Sequence, residues 1–420
     1  MKIQIIEKYK VQLILIFIGF ICFSAVSYLL QLHHQSYIFP DSYSYLLSIK
    51  QLYFEHTLND HRPFLFSFLS GIPLFLDTAI VNIFNWSLVL NLFSWLGTSL
   101  LLYKILSNFY KNNIAYLFSI FNLLLVGSIA ICFHFLTEPI FTFFLIIIFY
   151  YIQKFEITKE SKFLSIAISL LLLSLLIKPI LKFFILMVFA FYFKHFGKML
   201  KTKFSFYLVI PIFLVFFQMY SLKRNYGDFT LSYIDTATYF NYLGTKADCY
   251  KNNIEFEQGH NQRHSYFSKF SPKDGKKIAL NDLKNQFRNN KINLLKAYFS
   301  NLYINSTKGS ASVFACENVN NRKKFEIFLF FFKAITKAQN IILTVIGLIL
   351  AFHTLIRWRK SMSFIVTVSV AFLYIFFISG ISSDQGDRLH LIFYPLVIIM
   401  IVNWLSLKRN PKPFAEPLQK

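Results

Sequence analysis

The sequence predicts an all-α polytopic membrane protein of about ten transmembrane helices. Three observations carry that prediction. Of its 420 residues, 55% are hydrophobic and 19% aromatic, 53 are Phe, and mean hydropathy is +0.50. Only 15% are charged, a balance found in integral membrane proteins. Apolar runs recur along the whole chain, and about 20 such residues suffice to cross about 30 Å of hydrocarbon. Lys and Arg gather at alternate ends of those runs, as the positive-inside rule requires. In a soluble protein the net charge of +23 would suggest nucleic acid. Here it follows from topology and attraction to anionic lipid, and no nucleic-acid partner is expected.

The first span covers residues 11–31 and reads as a signal anchor, because no small-residue cleavage pattern follows it. Lys2, Lys8 and Lys10 place its start in the cytoplasm. The first outer loop, 32–82, then carries Asp41, His61 and Arg62. The apolar stretch 64–106 is too long for one span, yet Lys104 and Lys111 require an odd number of crossings. One crossing at 83–106 satisfies both, preceded by an interfacial or re-entrant segment at 63–76 that Gly71 and Pro73 break. Spans three and four cover 114–135 and 140–152, joined outside by Thr137-Glu138-Pro139.

The run 163–193 begins and ends at basic clusters, so it crosses twice, and Lys178-Pro179 is its turn. Each half is only about 15 residues, or about 22 Å of helix, which suggests a thinned or water-filled outer vestibule. A seventh span at 204–220 leads into a long polar region. That region is rich in Lys but escapes the positive-inside rule, which is counted over short loops. Residues 281–303 have helical periodicity and the rest is turn-rich. An amphipathic helix at 326–337 precedes the eighth span, 340–356; the ninth and tenth are 364–380 and 389–407. Arg357, Arg359 and Lys360, then Lys408, Arg409 and Lys412, close these spans inside. Both termini are thus expected in the cytoplasm. The chain divides into an N-terminal membrane module (1–220), an extracytoplasmic region (221–325) and a C-terminal membrane module (326–420). No internal repeat is apparent.

On this map the ionisable residues outside loops collect at one depth. Asp41, His61, Arg62, Glu138, Lys178, Lys182, Arg224, Asp384, Asp387, Arg388 and His390 all fall at the outer membrane face. A charge inside a span costs about 2.5–3.5 kcal/mol on insertion scales, so several at one level favour an anion site over simple snorkelling. Each residue also has a plain structural reading. Asp41 could cap the helix that Ser42 begins. Glu138 could sit in the first turn of a span, where the helix dipole favours it. Cys249 and Cys316 could pair or remain two free thiols. His33, His34, Glu55, His56 and His61 lack any metal-ligand spacing, so no metal or other cofactor is expected. Asn305-Ser306-Thr307 matches a glycosylation acceptor, a pattern that also arises by chance.

Several weak motifs occur in a specific order: Pro40-Asp41-Ser42-Tyr43-Ser44-Tyr45, Arg62-Pro63-Phe64-Leu65, Thr137-Glu138-Pro139, Leu176-Ile177-Lys178-Pro179, Lys223-Arg224-Asn225-Tyr226, and Arg388-Leu389-His390-Leu391 with Tyr394-Pro395. In that order they resemble bacterial membrane glycosyltransferases of the GT-C superfamily, the group of protein O-mannosyltransferases and aminoarabinose transferases. The resemblance implies a GT-C-like fold and an inverting transfer of sugar from a polyprenyl-phosphate donor, with the active site under the first outer loop. It implies Asp41 as general base, with Glu138 as a second catalytic carboxylate. Cations at Lys178, Arg224 and Arg388 would bind the donor phosphate. Tyr45, His61, Arg62, Lys182 and His390 would contact substrate. The first loop carries one acidic residue where many relatives have an Asp-Glu pair. The acceptor, whether glycan, lipid or protein, stays open. The implied location is a bacterial inner membrane, with the site facing the exterior. Two other classes compete: a polysaccharide polymerase or ligase of the O-antigen type, and a lipid-linked sugar flippase or transporter, which should carry broken or charged helices at mid-membrane.

Overall fold

The computed structural model describes residues 2–32, 41–257, 262–308, 311–314 and 322–409. Pro40, His33, His34, Cys316 and Lys412 lie outside them, so the Cys249–Cys316 pairing does too. Among the described residues every regular element is a helix. In chain order these are α1 (Lys2–Leu30), α2 (Ser42–Phe54), α3 (Phe64–Gly71), α4 (Ile80–Ser107), α5 (Asn112–Leu123), α6 (Val126–Ala130) and α7 (Glu138–Thr158). Next come α8 (Ser161–Leu175), α9 (Lys182–Leu200), α10 (Val209–Tyr226), α11 (Ile234–Thr238), α12 (Thr245–Asn252) and α13 (Gln262–Phe267). The chain ends with α14 (Pro272–Asn289), α15 (Lys291–Thr307), α16 (Ala311–Phe314), α17 (Arg322–Ile356), α18 (Ser363–Ser379) and α19 (Tyr394–Arg409).

Seven helical segments among the described residues are long and apolar enough to cross a membrane: those built on α1, α4, α7, α9, α10, α17 and α19. The protein is therefore an all-α polytopic membrane protein. The expected third span is a bent pair instead, because α5 and α6 meet at 59°. The side chain of Gln339, from α17, fills that break. It accepts from Val126 N at 3.2 Å and donates to the Leu124 carbonyl at 3.3 Å. Backbone freed inside an apolar layer needs such a partner. The two halves of 163–193 are α8 and α9, separated at Lys178-Pro179 as the sequence predicts. α8, at 15 residues, and α18, at 17, are shorter apolar helices.

Two sequence expectations need correction. Residues 326–337 and 340–356 are not separate elements; α17 runs through both as one 35-residue helix. Nothing between them breaks the backbone ladder, since Lys337-Ala338-Gln339 are good helix formers. The polar region after α10 is not turn-rich but helical from α11 to α16. Its caps are legible in hindsight: Ser271 accepts from Asp274 N, and Pro272 occupies the first turn of α14. The periodicity across 281–303 belongs to two helices. They part at Asn290, whose buried amide donates to the Ala247 carbonyl at 3.1 Å and leaves the helical path.

The largest apolar core joins α4, α7, α18 and α19 through buried residues such as Ile105, Phe149, Phe372 and Ile398. The segment containing α19 is the most enclosed of the seven candidate spans. α9 and α10 instead leave Leu186, Phe193, Ile210 and Phe213 exposed, as lipid-facing helices do. Two buried amides inside the helices show how polar side chains there find partners. Asn122 donates to Ser99 at 2.8 Å, and Gln153 donates to the Ile105 carbonyl at 3.0 Å. The sequence Asn305-Ser306-Thr307 lies on α15 with Asn305 fully buried, so its amide is structural and no glycan acceptor.

Candidate active site

Five chain segments meet at one point. The first is the start of α2. Asp41 precedes this helix but makes no side-chain cap bond. Its carboxylate reaches outward instead, to Arg388 Nη2 at 2.7 Å and Arg62 Nη2 at 3.4 Å. Ser44 and Tyr45 lie on the next turn of the same helix.

The second segment is the loop before α3. Asn59 Oδ1 accepts from His61 N at 3.0 Å and Arg62 N at 2.8 Å, a tight Asx turn. Ser232 Oγ donates to the His61 carbonyl at 2.6 Å, and Tyr233 N donates to the Asp60 carbonyl at 2.9 Å. So held, Arg62 lays its guanidinium over the Tyr45 ring, 4.3 Å from the centroid. It also donates to Ser44 Oγ at 2.9 Å and Tyr45 Oη at 3.2 Å.

The third segment is the start of α7. Thr137 Oγ1 is 3.2 Å from Tyr45 Oη. Glu138 is only 1% exposed, and its Oε1 accepts from Arg388 Nε at 2.8 Å and Lys178 Nζ at 3.0 Å. Its Oε2 is buried without a hydrogen-bond partner. The helix-dipole reading of Glu138 holds as well, since it is the first residue of α7.

The fourth segment is the turn before α19. Gly386 has φ +51°, a left-handed conformation that favours glycine, and Arg388 follows it within a 3-10 turn. Arg388 is buried, and its Nη1 donates to Gln385 Oε1 at 3.3 Å. Lys178 enters from the fifth, the α8–α9 break. There Leu65 N donates to the Leu176 carbonyl at 2.9 Å, which ties the break to the first loop.

The result is a cluster of two carboxylates, Asp41 and Glu138, with three cations, Arg62, Lys178 and Arg388. One positive charge is left over. Burial pushes the Asp41 carboxyl up, but Arg388 and Arg62 outweigh it and hold it below the ordinary carboxylate range. Asp41 thus stays ionised at neutral pH, and its side chain is 37% exposed. The two acids differ in access: Asp41 is partly open to solvent, whereas Glu138 is enclosed and braces the cations.

No family model, curated protein or solved structure matches this chain.

Of the residues singled out from sequence, Asp41, Tyr45, Arg62, Glu138, Lys178 and Arg388 come together. The others lie apart from the cluster. Lys182 pairs with Asp235, and His61 pairs with Asp60 at 2.8 Å. Arg224 is exposed in the last turn of α10, where a helix C-terminus favours a cation. His390 is fully buried. Its Nδ1 is 2.8 Å from Asn340 Oδ1 and 3.2 Å from Thr344 Oγ1, and its Nε2 is 3.4 Å from Ser379 Oγ. Sequence reasoning missed Ser44, Asn59 and Gln385 as parts of the site. It also missed Asn305, whose side chain donates to the Ser379 and Ser382 carbonyls at 2.9 Å each and accepts from Gln385 N at 3.0 Å. An asparagine on a helix otherwise rich in apolar residues was the available signal.

Proposed function

We propose that the chain is an integral-membrane glycosyltransferase that moves a sugar from a polyprenyl-phosphate donor to an acceptor, with inversion at the anomeric carbon. One observation carries this reading: an accessible carboxylate, Asp41, lies against a partly desolvated cluster with a surplus cation. Such a cluster suits a phosphate ester, and the unspent positive charge is what a leaving phosphate needs.

In the proposed reaction an acceptor hydroxyl attacks the anomeric carbon. The bond from that carbon to the phosphate oxygen breaks, and its electron pair leaves with the phosphate. Arg388, Lys178 and Arg62 stabilise the growing negative charge. Asp41 takes the hydroxyl proton as the new bond forms. Its depressed pKa makes it a weak base, so proton transfer is late, when the attacking oxygen has become acidic. Glu138 holds Lys178 and Arg388 in place. Lys182, His61 and His390, engaged elsewhere, and Arg224, exposed at the end of α10, take no part in this scheme.

The full reading has about ten crossings in a GT-C-like arrangement. It places both termini in the cytoplasm of a bacterium and the cluster on the outer face of the inner membrane. An acceptor of glycan type suits the groove of about 610 Å³ in the outer region, lined by Phe240, Arg263, Tyr266, Asn281 and Asn285. Ring faces and amides are the groups that bind polyols. A π-helical turn, Tyr239–Gly244, sets Phe240 in its wall.

The test is transfer from radiolabelled polyprenyl-phosphate-sugar in membranes, comparing wild type with Asp41→Asn and Arg388→Ala at matched expression. Transfer by wild type and its loss in both variants supports the reading. A fully active Asp41→Asn moves the base to another residue or the protein to the polymerase class. No transfer from any lipid-linked sugar overturns the enzyme reading in favour of transport.

A further inference from the structure

The outward face of α15 does not suit water. A helix on a domain surface normally presents polar residues to solvent. α15 instead exposes Ile292, Leu295, Phe299 and Tyr303, each between 54% and 74% accessible. Their spacing of three, four and four residues puts them on one stripe. The opposite face is already used: Leu294, Ala297, Asn301 and Asn305 are buried against the body of the protein. α15 is therefore apolar on two sides, one of them unfilled. The neighbouring α14 is more mixed, exposing Leu280 and Phe287 but also Lys277, Asn281, Lys284 and Asn285.

The level of α15 is fixed by its bonds. Tyr298 Oη donates to the Phe377 carbonyl at 2.8 Å, and Asn301 donates to the Gly380 carbonyl at 3.0 Å. α15 thus crosses the end of α18. That helix has 17 residues and rises about 25 Å, less than the hydrocarbon thickness of about 30 Å. A helix that short leaves an end inside the hydrocarbon layer, and α15 packs on its Gly380 end. An apolar groove of about 410 Å³ reaches the same place, since Tyr298 shares its lining with Met187, Leu355, Val370 and Phe377. Exposed cations flank the stripe at Arg288, Lys291 and Lys296.

We propose that α15 is an interfacial helix, seated with its Ile292–Leu295–Phe299–Tyr303 stripe in the leaflet where α18 ends, its flanking cations among lipid headgroups. The outer region then rests on the membrane and does not stand free in water. This inference holds whether or not the chain transfers sugar.

The test places the photoreactive residue p-benzoylphenylalanine at Phe299 or Tyr303 of the full chain, in phosphatidylcholine–phosphatidylglycerol vesicles. A third chain carries it at Asn285 on α14. Irradiation should add the mass of one phospholipid at Phe299 and Tyr303, and none at Asn285. Hydroxyl-radical footprinting of the unmodified wild type in the same vesicles gives a reading independent of any substitution. Phe299 and Tyr303 should oxidise several-fold more slowly than Tyr266. Absence of lipid adducts from both positions, cross-links between two copies of the chain in their place, or oxidation as fast as at Tyr266 overturns the proposal.

Discussion

Arg388 and Glu138 are 250 residues apart in sequence and joined at 2.8 Å through Nε and Oε1. The same guanidinium reaches Asp41 at 2.7 Å. Arg388 thus ties together the loop before α2, the start of α7 and the turn before α19. Breaking a buried pair by removing one partner costs about 3–5 kcal/mol, because the other charge is left uncompensated. Arg388→Ala should lower stability by that order and abolish transfer. Arg388→Lys should recover part of the stability but little transfer, since one ammonium cannot reproduce the two-directional fork. Thermal unfolding in detergent and a transfer assay separate the two effects.

Glu138→Gln tests whether the buried acid acts through its charge. Glutamine keeps an acceptor oxygen for Arg388 and Lys178, so the fold should survive. The cluster's positive surplus grows by one charge, and the cations lose their brace. Lower turnover with unchanged or tighter donor binding is the expected pattern. A double-mutant cycle with Lys178→Met should give a coupling of about 0.5–3 kcal/mol if the pair acts as drawn. Additive effects would dissolve the pair.

Asp41 sets a pH signature. Its folded pKa lies below the ordinary value, so its ion pairs contribute stability above about pH 4, where the unfolded carboxyl is also ionised. That contribution is lost as pH falls through the depressed folded value. Wild type should therefore lose stability more steeply below about pH 4 than Asp41→Asn, and the two should run parallel between about pH 5 and 8. Unfolding midpoints across that range decide it. Parallel curves down to the acid limit would remove Asp41 from the ion cluster.

Gly386→Ala is expected to cost about 1–3 kcal/mol. Its φ of +51° disfavours any side chain, and a Cβ there would stand 2.7 Å from the Lys308 carbonyl oxygen. Asn305→Leu attacks the same turn from below, leaving three backbone groups of 379–385 without its amide, at about 1–3 kcal/mol. Both changes should reduce turnover through Arg388 without touching Asp41. Retained turnover in a folded Asn305→Leu protein would show that the turn holds Arg388 unaided.

Lys182→Ala and Arg224→Ala serve as contrasts. Their pairing and exposure lie outside the cluster, so stability should change by about 0.5 kcal/mol or less. Transfer should persist. A tenfold loss in either would mean that the donor binds beyond the cluster.

The sequence by itself determined where the chain is helical and apolar, and it marked the ionisable residues that had no business in a membrane. Hydropathy and helix period are local properties, read over about 20 residues, so α1, α4, α7 and the break at Lys178-Pro179 were legible. The same local logic picked out Asp41, Arg62, Glu138, Lys178 and Arg388. It also picked out Lys182, Arg224 and His390, because a one-dimensional map resolves depth but not direction around a helix bundle. Only the tertiary structure decided which of these face one another. Glu138 turns its carboxylate to Lys178 and Arg388, while His390, two residues beyond Arg388, turns to Asn340. Contacts across such separations depend on packing, and packing is a property of the assembled bundle. The break between α5 and α6 escaped the sequence for the same reason. No Pro marks it, its one nearby glycine, Gly127, lies inside α6, and the amide that stabilises it belongs to Gln339, more than two hundred residues away.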